Sequence, residues 1–155
     1  MSRAFVKEPD GLEAFDQLPE RLVSEHRNLV TEEGLAHIDR EIARLSRAYA
    51  EAQGASDRAA LNAAARDLRY WSARRATAEL VLPPSDKDEV RFGSRVTLER
   101  GDGRRQSYRI VGEDEADPAK GTLSYVSPLA RALIGKSVGD TARQGRDEIE
   151  ILAID

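Results

Sequence analysis

The sequence has 155 residues and is mildly acidic, with 24 Lys and Arg residues against 28 Asp and Glu residues. This balance excludes a protein that binds nucleic acid through bulk positive charge, and the absence of cysteine excludes disulfides, thiolate metal sites and cysteine nucleophiles. No apolar run approaches the roughly 18 residues of a membrane-spanning helix, and the first residues lack a signal peptide's apolar core. The composition predicts a soluble, cytoplasmic protein of one domain or two small ones, with no membrane partner.

Residues 1–30 are predicted to form an extended leader. Pro9, Gly11 and Pro19 interrupt any regular helix in this segment. The first 33 residues also carry eight acids against four bases. We therefore expect the leader to lie along the rest of the protein without a core of its own.

Residues 31–82 are predicted to form an antiparallel coiled-coil hairpin. Thr31 is a candidate N-cap, and apolar residues then recur at alternating spacings of three and four, which is the pattern of a coiled-coil seam. Gly54 is predicted to end the first helix in the left-handed conformation, and Ser56 is predicted to cap the second. The second helix is predicted to continue to Leu82, where the two prolines that follow end it. Two seams joined by so short a turn can bury their stripes only against each other.

Two sets of hairpin residues are candidates for function. The predicted tip consists of Gly54, Ala55, Ser56, Asp57 and Arg58, and it offers one carboxylate and one guanidinium. Residues 40–75 carry eight arginines against four acids and no lysine. This excess predicts either a contact surface for RNA or another anionic partner, or a solvated face crossed by ion pairs. The residues that define this basic hairpin face are Arg44, Arg47, Arg66 and Arg69.

Residues 83–155 are predicted to form a small antiparallel β domain, because the apolar period changes to two residues after the paired prolines. A hairpin is predicted within 95–111, a short strand at 122–126 and a last strand at 148–154. Ser127 and Pro128 are typical of a helix start. The fold class is therefore predicted to be α+β, with an N-terminal helical hairpin and a C-terminal β domain.

No catalytic or metal-binding motif accompanies these elements. The two histidines, His26 and His37, differ in context and do not suggest a shared metal site. The acid run at 113–117 could bind a cation, but it lacks the glycine-punctuated spacing of a calcium loop, so a solvated loop is favoured. The sequence therefore predicts no catalytic residue, no metal, no cofactor and no enzyme activity of its own.

Three segments of the C-terminal half form a recognisable set: FGSRV at 92–96, SYRIVGEDEAD at 107–117, and LSYVSPLARALIGK at 123–136, with Gly139-Asp140 following. In order and spacing they resemble the Gre-factor family of bacterial transcription elongation factors, which includes GreA and GreB. The opening residues MSRAFVKE are similar to those of a GreB-like subgroup. The resemblance implies an FKBP-like C-terminal fold that docks at the rim of the RNA polymerase secondary channel, while the hairpin enters the channel.

We expect the rim contact to involve Ser127, Pro128 and Arg131, since a helix start on a short loop is a good docking element. In the family, two acids at the hairpin tip help to hold a magnesium ion that activates water for cleavage of backtracked RNA. Ala55 and Arg58 occupy the matching positions in this sequence. The hairpin is also about ten residues shorter per arm than the family pattern, which would leave its tip about 15 Å short.

The favoured interpretation is a factor that occupies the secondary channel and modulates elongation without stimulating transcript cleavage. Three alternatives remain open. The chain could be a genuine cleavage factor that uses Asp57. It could instead be an interaction module with another partner, resembling the short-hairpin regulator of nucleoside diphosphate kinase. An FKBP-like fold also implies a prolyl isomerase.

Overall fold

The structure, a computed structural model, describes residues 18–155. The chain forms two compact units. One consists of Asp39–Arg74 with the described part of Met1–Ser24, and the other of Glu25–Ile38 with Arg75–Asp155. Most of the predicted leader, residues 1–17, lies outside the described residues.

Two helices form the predicted hairpin: α1 spans Glu32–Gly54 and α2 spans Arg58–Thr77. The N-cap prediction is confirmed, because the Thr31 hydroxyl accepts a hydrogen bond from the Gly34 N–H at 3.0 Å. Within the first unit the buried apolar residues lie seven apart in each helix, which is the spacing of a coiled-coil seam. These residues are Leu45 and Ala52 in α1, and Ala64 and Trp71 in α2.

The prediction that the second helix continues to Leu82 is wrong, since α2 ends at Thr77. A two-residue strand follows, β2 at Glu79–Leu80, which pairs parallel with β1 at Leu29–Val30. The Glu79 N–H donates to the Asn28 carbonyl at 2.8 Å, so backbone bonding to a distant segment replaces the helical bonds there.

The C-terminal β domain contains five strands: β3 at Arg95–Arg100, β4 at Arg105–Val111, β5 at Thr122–Ser124, β6 at Thr141–Gln144 and β7 at Asp147–Ile154. They form one sheet with the order β5-β4-β3-β7-β6. The α+β prediction is confirmed, but the sheet is mixed rather than wholly antiparallel, because β5 runs parallel to β4. The sequence interpretation did not include β6, which pairs with β7 at one edge.

One face of this sheet carries the core together with a short helix, α3, at Pro128–Leu133. Alternate residues of β3 and β7 point inward, as the two-residue period of a strand requires. The central core residues are completely buried: Val96, Leu98, Ile110, Leu133, Ile149 and Ile151. Among the described residues, no helix has the length and apolar character needed to cross a bilayer.

Candidate functional site

The hairpin tip is a tight turn whose left-handed residue is Ser56, with φ 54°. The Ser56 N–H donates to the Gln53 carbonyl at 3.3 Å, and the Asp57 N–H donates to the Ala52 carbonyl at 3.0 Å. This pair of bonds is the Schellman arrangement at the end of a helix. The prediction that Gly54 takes the left-handed position is wrong, because the helical bond from Ala55 N–H to the Glu51 carbonyl, 2.9 Å, carries α1 past Gly54.

Asp57 is the N-cap of α2, a role that the sequence interpretation gave to Ser56. Its Oδ1 accepts the Ala60 N–H at 3.1 Å, and its carbonyl accepts the Leu61 N–H at 2.9 Å. The carboxylate therefore lies against the positive end of the helix dipole. One oxygen of the tip's single carboxylate is already engaged in starting a helix.

The tip residues Gly54, Ala55, Ser56, Asp57 and Arg58 are all exposed. Asp57 and Arg58 are adjacent and of opposite charge, so the tip carries no net charge. A shallow recess of about 250 Å³ adjoins the turn, and its walls include the side chains of Ala52 and Leu61. Among residues 18–155, no cluster of three acids or histidines could hold a metal ion.

Within residues 18–155, three arginines of the basic hairpin face form ion pairs. Arg44 pairs with Glu41 at 2.6 Å, and Arg66 with Asp67 at 3.1 Å. Arg69 pairs with the leader residue Glu20 at 2.5 Å, whereas Arg47 is exposed. Hydrogen bonding to Glu41 raises the pKa of Arg44. An anionic partner of this face would therefore have to compete with carboxylates of the chain itself.

The predicted docking residues lie at the start of α3. The Ser127 hydroxyl caps this helix by accepting the Ala130 N–H at 3.3 Å. Leu129, Ala130 and Leu133 are buried in the core. Pro128 and Arg131 are exposed, so α3 presents these two side chains to solvent.

The acid run at 113–117 is not the solvated loop that the sequence interpretation favoured. Glu115 accepts three hydrogen bonds: Thr31 N–H at 3.0 Å, Thr31 O–H at 2.5 Å and Gly112 N–H at 3.3 Å. A Cβ at Gly34 would lie 2.0 Å from its carboxylate, so a side chain at this position would displace Glu115. Glu115 therefore fastens the start of α1 to the loop after β4.

Glu20, Arg21 and Glu115 are the important side chains that sequence reasoning missed. Their partners lie between 46 and 84 residues away, too far for any local motif to reveal them. The glycines beside Glu115 were the only available signal, because a residue without a side chain often marks a close approach.

A family model described as "Transcription elongation factor, GreA/GreB, C-term" matches residues 85–155. The GreB factor of Yersinia pestis is 36% identical over 132 residues, which cover 73% of this chain and 77% of that protein. The chain belongs to the Gre-factor family. The GreB factor of Neisseria meningitidis serogroup A is 44% identical over 96 residues, covering 58% of this chain and 59% of that protein. The chain thus spans less than two thirds of the length of that second family member.

A solved structure, GreA factor homolog 1 (Gfh1) of Thermus thermophilus, is similar at 23% identity with a TM-score of 0.40. The similarity covers 84% of this chain and 99% of that one.

Membership of this family contradicts the prediction that the chain is not an enzyme. GreA factors of Desulfovibrio desulfuricans and Nitratidesulfovibrio vulgaris are 38% and 40% identical to it over 93 residues. Both are named transcription elongation factors, so the lack of a catalytic motif in this chain is no ground for excluding a part in catalysis.

Proposed function

We propose that this Gre factor binds bacterial RNA polymerase, inserts its hairpin into the secondary channel and modulates elongation without stimulating transcript cleavage. The observation that carries the proposal is the tip, where the single carboxylate caps a helix beside a cation.

The electrostatics of the tip oppose recruitment of a magnesium ion. Mg²⁺ requires oxygen ligands at about 2.0–2.1 Å in near-octahedral geometry. Asp57 offers one oxygen that is not bonded to Ala60, while Ala55 contributes only a methyl group. Unit charges about 4 Å apart interact by about 1 kcal/mol in water and several-fold more in a partly dry channel, so Arg58 would repel the ion.

The lengths of the helices support the same conclusion, because each arm is about ten residues shorter than the family pattern. With 23 residues in α1 and 20 in α2, the arms are about 35 and 30 Å long at a rise of about 1.5 Å per residue. A hairpin that ends short of the reacting phosphate can still obstruct the channel, but it cannot supply a metal ligand there.

We further propose that Ser127, Pro128 and Arg131 contact the polymerase at the channel rim. The orientation of α3 supports this proposal, because the helix buries its leucines and exposes Pro128 and Arg131. The arginines of the basic hairpin face would meet RNA or another anionic group inside the channel, because guanidinium pairs with phosphate in a two-pronged way.

The proposal is tested by co-precipitation with core polymerase and by competition against an active cleavage factor. The wild-type chain should bind and should reduce RNA cleavage by that factor. Pro128→Asp should abolish binding. Pro118→Asp is the matched control, since Pro118 is also exposed and also begins a short helix of the β domain. Failure of the wild-type chain to associate, or equal binding by both variants, would remove the docking proposal.

A further inference from the structure

The leader places a carboxylate directly on the basic face of α2. Both oxygens of Glu20 accept a hydrogen bond from the Arg69 Nε at 3.0 Å, and Oε1 also accepts one from Nη2 at 2.5 Å. Arg69 lowers the pKa of Glu20 through this bonding, and the pKa of Arg69 is raised in return. The contact is the two-pronged geometry in which arginine binds a phosphate group.

The next leader residue covers an aromatic ring on the same helix. The Arg21 Cζ lies 3.8 Å from the centre of the Tyr70 ring and 5.7 Å from that of Trp71. Its Nη1 also lies 3.4 Å from the Asp67 carboxylate, which pairs with Arg66 as well. Glu20 thus binds Arg69 and Arg21 covers the ring of Tyr70, and these two residues are neighbours on α2.

We propose that Glu20 and Arg21 form a cover for the α2 face made by Arg66, Arg69 and Tyr70, and that single-stranded RNA displaces this cover when it binds. The inference rests on the proposed contact between hairpin arginines and RNA. Glu20 occupies the donors that a phosphate would use, and the planar guanidinium of Arg21 lies where a base could stack on Tyr70.

The cover is held weakly enough to be displaced. Side chains of Glu20 and Arg69 are 62% and 57% exposed, and ion pairs at such positions are individually weak. The contact of Arg21 with Tyr70 adds a cation–π attraction of similar size. Removing both leader side chains should therefore strengthen RNA binding by about three- to tenfold.

Trp71 provides a direct reporter, because it is the only tryptophan in the chain and Arg21 lies against it. A short single-stranded RNA is titrated into the full chain while Trp71 emission and the anisotropy of the labelled RNA are followed. In the wild type, emission should shift as RNA binds. In Glu20→Gln/Arg21→Ala, emission should be shifted before RNA is added, and binding should be about three- to tenfold tighter.

Three further variants complete the test, and one of them is Arg69→Gln alone, which should weaken RNA binding. Adding Arg69→Gln to the double variant should remove the gain in affinity. The pair Glu51→Gln/Arg40→Ala makes the same chemical changes at exposed positions of α1 and should leave both readouts as in the wild type. Circular dichroism identifies any variant that is unfolded, and Glu20→Gln alone then repeats the test.

The outcomes separate this inference from the proposed function. If the double variant binds RNA like the wild type while Arg69→Gln weakens binding, the proposed cover by Glu20 and Arg21 is wrong. RNA binding by the basic hairpin face is then retained. If Arg69→Gln changes nothing in either background, both the basic face and its cover are wrong. Neither result bears on polymerase docking through α3, which the co-precipitation measures on its own.

Discussion

Replacing Glu115 with alanine should destabilise the β domain strongly, although the residue lies in a loop. The change removes the acceptor for three donors: the N–H and O–H of Thr31 and the N–H of Gly112. Thr31 is 1% exposed and Gly112 is buried, so water has little access to either group. The Thr31 hydroxyl also accepts the Gly34 N–H, which makes the start of α1 depend on the same carboxylate.

The magnitude follows from the cost of unsatisfied buried donors, about 1–3 kcal/mol each. Rotation of the Thr31 hydroxyl recovers part of that cost, which leaves a loss of about 3 kcal/mol in the free energy of unfolding. A loss of that size lowers the melting temperature by about 6–12 °C for a chain of this length. Glu115→Gln should show a smaller loss, because the amide oxygen still accepts a hydrogen bond from these donors and only the NH2 group cannot.

Thermal unfolding followed by circular dichroism measures the effect. Glu150→Ala is the matched control, because Glu150 is an exposed acid of the same domain and should change stability by less than about 0.5 kcal/mol. A loss below about 1 kcal/mol for Glu115→Ala would show that the three donors find other partners or are already hydrated, and it would contradict the anchoring role of Glu115.

Three further predictions concern the hairpin and its leader. Ser56→Gly should stabilise the chain by up to about 1 kcal/mol in thermal unfolding, because Ser56 holds a left-handed φ; a loss of stability would contradict the turn geometry. Asp57→Ala should cost about 1 kcal/mol while Asp57→Asn costs little, since the N-cap needs only an acceptor; equal effects of the two would contradict the capping role. The pKa of Glu20 is lowered by Arg69, so its contribution to leader docking is complete above the ordinary value of 4.5 and is lost as pH falls through the lowered value. Trp71 emission should therefore stay constant from neutral pH down to 4.5. A change in emission above pH 4.5 without unfolding would contradict the contact between Glu20 and Arg69.

The heptad pattern was sufficient to predict the helices, because burial of a stripe depends on residues three and four apart. Their ends were less predictable, since they depend on competition with distant segments. The seam spacing continues through Ala78 and Leu82, yet residues 79–80 between them pair with 29–30 about fifty residues earlier. At the tip, glycine was the expected left-handed residue. The helical bond from the Ala55 N–H to the Glu51 carbonyl continues the helical bonding past Gly54, and Ser56, two residues later, takes the left-handed conformation instead.

In the candidate site, too, local features could be predicted from the sequence, whereas contacts between distant residues could not. The exposure of Pro128 and Arg131 follows from the period of a short helix and could be expected from sequence. The contact of Glu115 with Thr31 spans 84 residues, and that of Glu20 with Arg69 spans 49. Only the folded chain brings such groups together. The acid run and the acidic leader therefore gave no sign in the sequence that Glu115 and Glu20 would bind these distant partners.

Transcript cleavage by a backtracked polymerase complex tests the central claim most directly. Stalled complexes with 3′-labelled RNA are incubated with Mg²⁺ and the purified chain, and an active cleavage factor serves as the positive control. Intact RNA is expected with this chain alone, and slower cleavage is expected when it is added in excess over the active factor. Release of short 3′-terminal fragments by the wild-type chain, abolished by Asp57→Ala, would contradict it.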